Sequence, residues 1–189
     1  KLQGATEWIH VDVMDGEFVE NTSFDLSAWD SFPRDIALEM HLMATAPTTY
    51  LKDCERIGAR RVLFHAESAE EVLAVLKEMD AYSFEKGVVL NMETELDVLV
   101  PIAERVDSVM LMSIVPGFQG QPFVPSSLDR IREVKGRFPD LLLGVDGGMS
   151  GANLQEVFAA NPDYIIIGSK VMQADDPGAA LRGFQDMIQ

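Results

Sequence analysis

The sequence predicts an α/β fold built on a parallel sheet, and three observations carry that prediction. Strand-like and helix-like patterns alternate along all 189 residues, in seven units spaced by roughly 25 residues, the rhythm of parallel strands joined by helical crossovers. Segments such as Tyr164-Ile-Ile-Ile-Gly168 and Gly87-Val-Val-Leu90 are near-continuously apolar, as strands covered on both faces are. No low-complexity stretch or linker interrupts the alternation, so the whole chain, 1–189, reads as one domain.

The first strand is expected at Trp8–Met14, followed by a short helix within Leu26–Phe32. Ile36–Met43 is the second strand. Pro47–Ile57 is helical, with Tyr50, Leu51, Cys54 and Ile57 on one stripe and Gly58 as its C-terminal stop. Arg61–His65 is the third strand. Ser68 and Glu71 have the spacing of a capping box opening the helix of Val72, Val75, Leu76 and Met79. Lys86–Asn91 is the fourth strand, and Thr94 caps a short helix carrying Leu96, Leu99 and Val100. Val106–Ile114 is the fifth strand, and Leu128, Ile131 and Val134 mark the next helix. Leu141–Asp146 is the sixth strand, with Ser150 before a helix carrying Leu154, Val157 and Phe158. Tyr164–Gly168 is the seventh strand, and Asp176-Pro177 opens the last helix, acid at the cap and proline in the first turn. Two architectures fit this order, a doubly wound open sheet and a (β/α)8 barrel, of which seven units are one short.

Composition narrows the function classes. A formal net charge of −16 argues against nucleic acid and anionic membranes as partners. An anionic substrate would need local donors such as backbone N–H groups or a metal ion. One cysteine, Cys54, allows no internal disulfide and reads as a small buried residue on its helix. No apolar run is long enough to span a bilayer, and Lys1–Glu7 has no signal-peptide character. The expectation is therefore a cytoplasmic protein.

The chemistry concentrates at strand ends. In His10-Val-Asp-Val-Met-Asp-Gly16, strand alternation puts His10, Asp12 and Met14 on one face and Val11 and Val13 on the other. The valine face suits packing under helices. An imidazole, a carboxylate and a thioether together are costly to bury unless they bind something. The second strand repeats the pattern, with Glu39, His41 and Met43 in phase. His65 ends the third strand, where a structural hydrogen bond and a supporting role behind the other histidines both remain open. Asp146 ends the sixth strand before Gly147-Gly148, and Met112 ends the fifth before Pro116-Gly-Phe-Gln-Gly120. Two histidines and two aspartates make a four-ligand set for one divalent ion, with donors that suit Zn, Fe, Mn or Co. Glycine loops after the late strands of a barrel, together with Gly168-Ser169, can offer N–H groups to a phosphate. Two carboxylates flanking one carbon are what an epimerase needs, one removing a proton and the other returning one, with a metal stabilising the enediolate between.

With these residues in view, the sequence resembles the ribulose-phosphate 3-epimerases. The matching segments are His10–Gly16 with Phe18, Val19 and Asn21; Met40-His-Leu-Met43; His65-Ala-Glu67; Leu90-Asn91 with Thr94; Met112 with Pro116-Gly-Phe118 and Gly120-Gln121; Val145-Asp-Gly-Gly148; and Gly168-Ser169. They follow the family's order and spacing from the first strand to the last. The resemblance implies an α/β (β/α)8 TIM barrel that interconverts D-ribulose 5-phosphate and D-xylulose 5-phosphate. It implies His10, Asp12, His41 and Asp146 as metal ligands, and Asp12 and Asp146 as the acid/base pair. Met14, Met43 and Met112 would cap the reacting carbons. The phosphate would lie on Gly117, Phe118, Gln119 and Gly120, on Gly147 and Gly148, and on Gly168 and Ser169.

The chain departs from the family in ways that carry expectations. The family's first strand and most of its first helix have no counterpart here, and Lys1–Thr6 resembles that helix's tail. A serine that meets substrate in the family goes with them, and so does a closed barrel. An open barrel exposes two sheet edges, which invites a homo-oligomer. Glu20 and Met92 stand where the family usually has proline, Gln119 replaces a phosphate-loop glycine, Gly144 an acidic residue and Glu39 an aspartate. Gln119 leaves room for another ketose phosphate, such as allulose 6-phosphate, as substrate, and the missing strand for a barrel that binds phosphate without turnover. The absence of a lysine at any of these strand ends speaks against a decarboxylase or isomerase of the same architecture.

Overall fold

The computed structural model describes residues 2, 4–33, 35–117 and 120–188. Seven strands form one sheet in chain order, with every neighbouring pair parallel. They are β1 (Trp8–Met14), β2 (Ala37–Met43), β3 (Arg61–His65), β4 (Glu85–Leu90), β5 (Ser108–Met112), β6 (Leu142–Asp146) and β7 (Tyr164–Ile166). The sheet curls into a nearly closed barrel. Tyr164 on β7 reaches across the interior to donate its hydroxyl hydrogen to Glu39 on β2 at 2.9 Å. Among the described residues, β1 pairs only with β2 and β7 only with β6. The barrel is the one of the two predicted architectures that the chain adopts.

The predicted alternation sorts the side chains. Val11 and Val13 join Leu38, Met40 and Leu42 of β2 in the layer under the helices. The other face of the strands looks inward, where Leu63, Val89, Met110, Met112 and Ile114 form a separate inner cluster. The helical layer consists of α1 (Leu51–Ile57), α2 (Val72–Met79), α3 (Ser127–Arg137), α4 (Leu154–Ala159), α5 (Ser169–Met172) and α6 (Pro177–Asp186). Leu51, Cys54 and Ile57 are buried on α1, and Gly58 ends it with φ 78°, a left-handed conformation that glycine adopts without a Cβ penalty. Burial, with Asp53 nearby, pushes the Cys54 thiol up to about 12, which leaves it an inert packing group. At α6 the predicted cap forms, with Asp176 accepting from Ala179 N–H.

Several expectations need correction. The β1–β2 and β4–β5 connections carry only short 3₁₀ turns, Leu26–Trp29 in the first and Leu96–Leu99 and Ala103–Arg105 in the second. Pro101 lies between the last two, where its missing N–H and its ring prevent a continuous helix. The Ser68–Glu71 capping box does not form. Ser68 Oγ donates back to His65 O at 2.8 Å, and α2 begins after Glu71 without a side-chain cap. Thr94 does not cap a helix either. Its hydroxyl donates to Glu67 instead. The fifth and seventh strands are shorter than predicted, ending at Met112 and Ile166. No helix among the described residues is long and apolar enough to cross a membrane.

Candidate active site

Parallel register stacks the inward side chains in layers. His10 lies beside Glu39, Asp12 beside His41 and Met14 beside Met43 on β1 and β2, while Met112 lies beside Asp146 on β5 and β6. One ligand atom from each of His10, Asp12, His41 and Asp146 falls within 4.8 Å of all the others. His41 Nδ1 is 3.0 Å from Asp12 Oδ1, His10 Nε2 is 3.3 Å from both Asp12 Oδ1 and His41 Nδ1, and both nitrogens are 4.0 Å from Asp146 Oδ2. Atoms bound about 2.1 Å from a common ion stand about 3–4 Å apart. The separations and the two-nitrogen, two-oxygen donor set therefore fit one divalent cation, without choosing among Zn, Fe, Mn and Co.

The far sides of both rings are anchored. Glu39 Oε1 lies 2.7 Å from His10 Nδ1, and Glu39 Oε2 accepts from Arg61 at 2.8 Å as well as from Tyr164. Arg61 is held in turn by Glu85 and lies over the Trp8 ring. Gly144 makes this crossing possible, since a Cβ there would sit 2.4 Å from Tyr164 Cζ. The sequence reading missed this network. Its signal was an acid in phase with His41 on an inward face, which needs a cation beside it.

The electrostatics separate the two aspartates. Burial raises the proton affinity of both. For Asp12 that effect is outweighed by hydrogen bonds from His10 and His41, which hold it well below the usual carboxylate range. For Asp146 burial dominates, with Asp12 and Glu39 adding to it against His10, and pushes it up to about 7. Burial also disfavours charge on both histidines. Asp12 and Glu39 overcome it at His10, whose pKa stands well above its ordinary value. His41 is pulled down to about 4, because His65 and His10 add to burial against Asp12.

A cavity of about 940 Å³ opens over this cluster. Met14, Met43 and Met112 line it, together with Gly117, Gly120, Gly147, Gly148, Gly168 and Ser169. The remaining predicted site residues, Phe118 and Gln119, lie outside the described residues. Gly147 and Gly148 have φ 115° and 66°, and a Cβ on Gly148 would lie 2.4 Å from Phe123 N. Ser113 pins the same turn, with its hydroxyl donating to Asp146 O and Gly147 O. Gly148→Ala should therefore destabilise the fold by about 2 kcal/mol, read as a fall in Tm of about 5 °C.

Glu67 lies behind the site, against His65. Burial opposes its charge, but hydrogen bonds from His65, Thr94 and Asn91 N–H hold it down to about 2, against 4.5 ordinarily. Folding thus favours its ionised form. The stabilisation is complete above about pH 4.5 and is lost as pH falls toward 2, amounting to about 3 kcal/mol. Acid unfolding of Glu67→Gln should accordingly show a weaker pH dependence than wild type in that window.

An α/β barrel with a two-histidine, two-aspartate cluster at its strand ends, facing a glycine-lined cavity, defines a candidate metal-dependent enzyme for an anionic small molecule. The profile of the ribulose-phosphate 3 epimerase family matches residues 2–172, and the chain belongs to that family. It is 34% identical over 182 residues to the ribulose-phosphate 3-epimerase of Mycobacterium bovis, covering 93% of this chain and 79% of that one. With the Escherichia coli K12 enzyme of the same name the identity is 32%, over 93% and 81% of the two chains. The cytoplasmic isoform from rice is 29% identical over 97% and 83%. Among solved structures, 3-hexulose-6-phosphate synthase from Salmonella typhimurium superposes with a TM-score of 0.71 at 15% identity, covering 97% of this chain and 87% of that one. Orotidine 5'-monophosphate decarboxylase from Sulfolobus solfataricus gives 0.65 at 18%, over 86% and 80%. At those identities the likeness is one of fold.

Proposed function

We propose that this chain is a metal-dependent sugar-phosphate 3-epimerase that interconverts D-ribulose 5-phosphate and D-xylulose 5-phosphate. The observation that carries the proposal is the convergence of Asp12 and Asp146, from non-neighbouring strands, on the four-atom cluster at the floor of the cavity. Inverting a carbon requires a proton to leave one face and another to arrive on the opposite face. Two carboxylates of unlike proton affinity meet that need. Asp12, held ionised, accepts the C3 proton. Asp146, the carboxylate to which burial gives the higher proton affinity, returns one from the other side, and the roles exchange in reverse. His10, Asp12, His41 and Asp146 would hold the ion. When bound, it supplies positive charge where negative charge develops on the substrate's oxygens. Met14, Met43 and Met112 would cover the reacting carbons and exclude water. The N–H groups at Gly117 and Gly120, at Gly147-Gly148 and at Gly168-Ser169 would receive the phosphate, which this acidic chain otherwise repels. The cytoplasm is the expected place of action, supported by the cytoplasmic rice relative. Incubation of the purified chain with ribulose 5-phosphate and Mn, Fe, Co or Zn should yield xylulose 5-phosphate. No conversion with any of the four would refute the proposal.

A further inference from the structure

All three histidines of the chain lie in one buried line, yet only His10 and His41 present a nitrogen to the metal cluster. We propose that Glu67 is a positioning residue for His41. Acting through the ring of His65, it fixes the tautomer in which His41 Nδ1 is bare and can bind a cation. This rests on the metal-site reading above.

The argument is one of donors and acceptors. His41 Nε2 lies 2.9 Å from His65 Nε2. Two neutral ring nitrogens at that distance make a hydrogen bond only if one carries the hydrogen and the other does not. His65 Nδ1 lies 3.2 Å from Glu67 Oε2. A carboxylate only accepts, so His65 must carry its hydrogen on Nδ1. Its Nε2 is then bare and accepts from His41 Nε2–H. With a cation in the cluster, His41 Nδ1 then offers it a lone pair; without one, Asp12 Oδ1, 3.0 Å away, competes to accept a hydrogen from that same atom, so the order belongs to the metal-bound state. The rings have little freedom to escape this order. Both are fully buried, their centroids are 5.0 Å apart at 25°, and Phe18 packs on His65 at 4.8 Å. His10 receives the same service directly, from Glu39 at its Nδ1. Carboxylates that orient ligand histidines in this way change metal affinity by about 10–100-fold when removed.

The other oxygen of Glu67 makes the idea testable with one isosteric change. Oε1 accepts from Asn91 N–H at 2.9 Å and from the Thr94 hydroxyl. In Glu67→Gln the amide oxygen stays on that side, because the Asn91 N–H needs an acceptor, so the NH2 group turns toward His65 Nδ1. An NH2 group donates. His65 must then be bare at Nδ1 and protonated at Nε2, His41 must accept at Nε2, and the hydrogen arrives on His41 Nδ1, where the cation should bind.

The experiment combines ¹⁵N NMR of the histidine rings, in zinc-loaded wild type and in chelated Glu67→Gln, with zinc titration against a chromophoric competitor. With three histidines in the chain, the ring signals can be assigned from single substitutions. Wild type should show His65 protonated on Nδ1, and Glu67→Gln should show it on Nε2 with zinc affinity about 10–100-fold weaker. Thr94→Ala removes a partner of the same carboxylate but leaves the His65 contact, so it should keep wild-type affinity. Wild-type zinc affinity in Glu67→Gln, or an equal loss in Thr94→Ala, would overturn the proposal. So would a zinc-loaded wild-type His65 protonated on Nε2, a result that does not depend on the variant's folding. Failure of the wild type to bind zinc would overturn the metal-site reading and this role with it.

Discussion

Asp146→Asn should lower epimerase turnover by on the order of 10⁴-fold, and Asp12→Asn by a comparable factor. Asparagine keeps the shape of each side chain but can neither take nor return a proton. Each change also replaces an anionic oxygen in the cluster of Asp12, Asp146, His10 and His41 with an amide. The loss should fall mainly on kcat, because the glycine turns proposed to hold the phosphate are untouched. In the proposed scheme Asp12 and Asp146 act in sequence on the same carbon, so the double variant should be little slower than either single one, as groups that act as a unit are not additive. Steady-state kinetics in both directions check this. Turnover within ten-fold of wild type for either variant would rule out the two-carboxylate scheme.

Stripping divalent ions with a chelator should abolish turnover to a similar degree, and adding back Mn, Fe, Co or Zn should restore it. The same treatment has a readout in stability. An ion present at about 100 times its dissociation constant stabilises the folded chain by about 2.7 kcal/mol, equivalent to about 5–10 °C in Tm for a chain of this size. His41→Ala removes a ligand from the wholly buried side of the cluster, so its Tm should no longer respond to added ion. Binding should also weaken as pH falls below about 7, where Asp146 takes up a proton.

Much of the site was legible because strand alternation is strict. His10, Asp12 and Met14 had to share a face, Glu39, His41 and Met43 had to share another, and parallel register then brought the two sets side by side. The buried valines of β1 followed from the same rule. What stayed hidden depends on contacts distant in sequence. Tyr164 and Glu39 are separated by most of the chain, and only barrel curvature, with Gly144 leaving space, lets them meet. The sequence left His65 between two roles because its partners, His41 and Glu67, are defined by ring orientation rather than spacing. Ser68 and Thr94 misled for a related reason. Both have cap-forming side chains, but local geometry gave their hydroxyls to His65 O and Glu67. The missing helices after β1 and β4 show tertiary packing and a single proline outweighing an apolar pattern.

The most direct test of the central claim is to run the reaction in D2O with a divalent ion present and to follow C3 of the substrate by NMR. Two carboxylates that exchange protons with solvent should give xylulose 5-phosphate carrying deuterium at C3, with formation of that product lost in both Asp12→Asn and Asp146→Asn. Xylulose 5-phosphate that forms with its original C3 hydrogen intact would contradict the account.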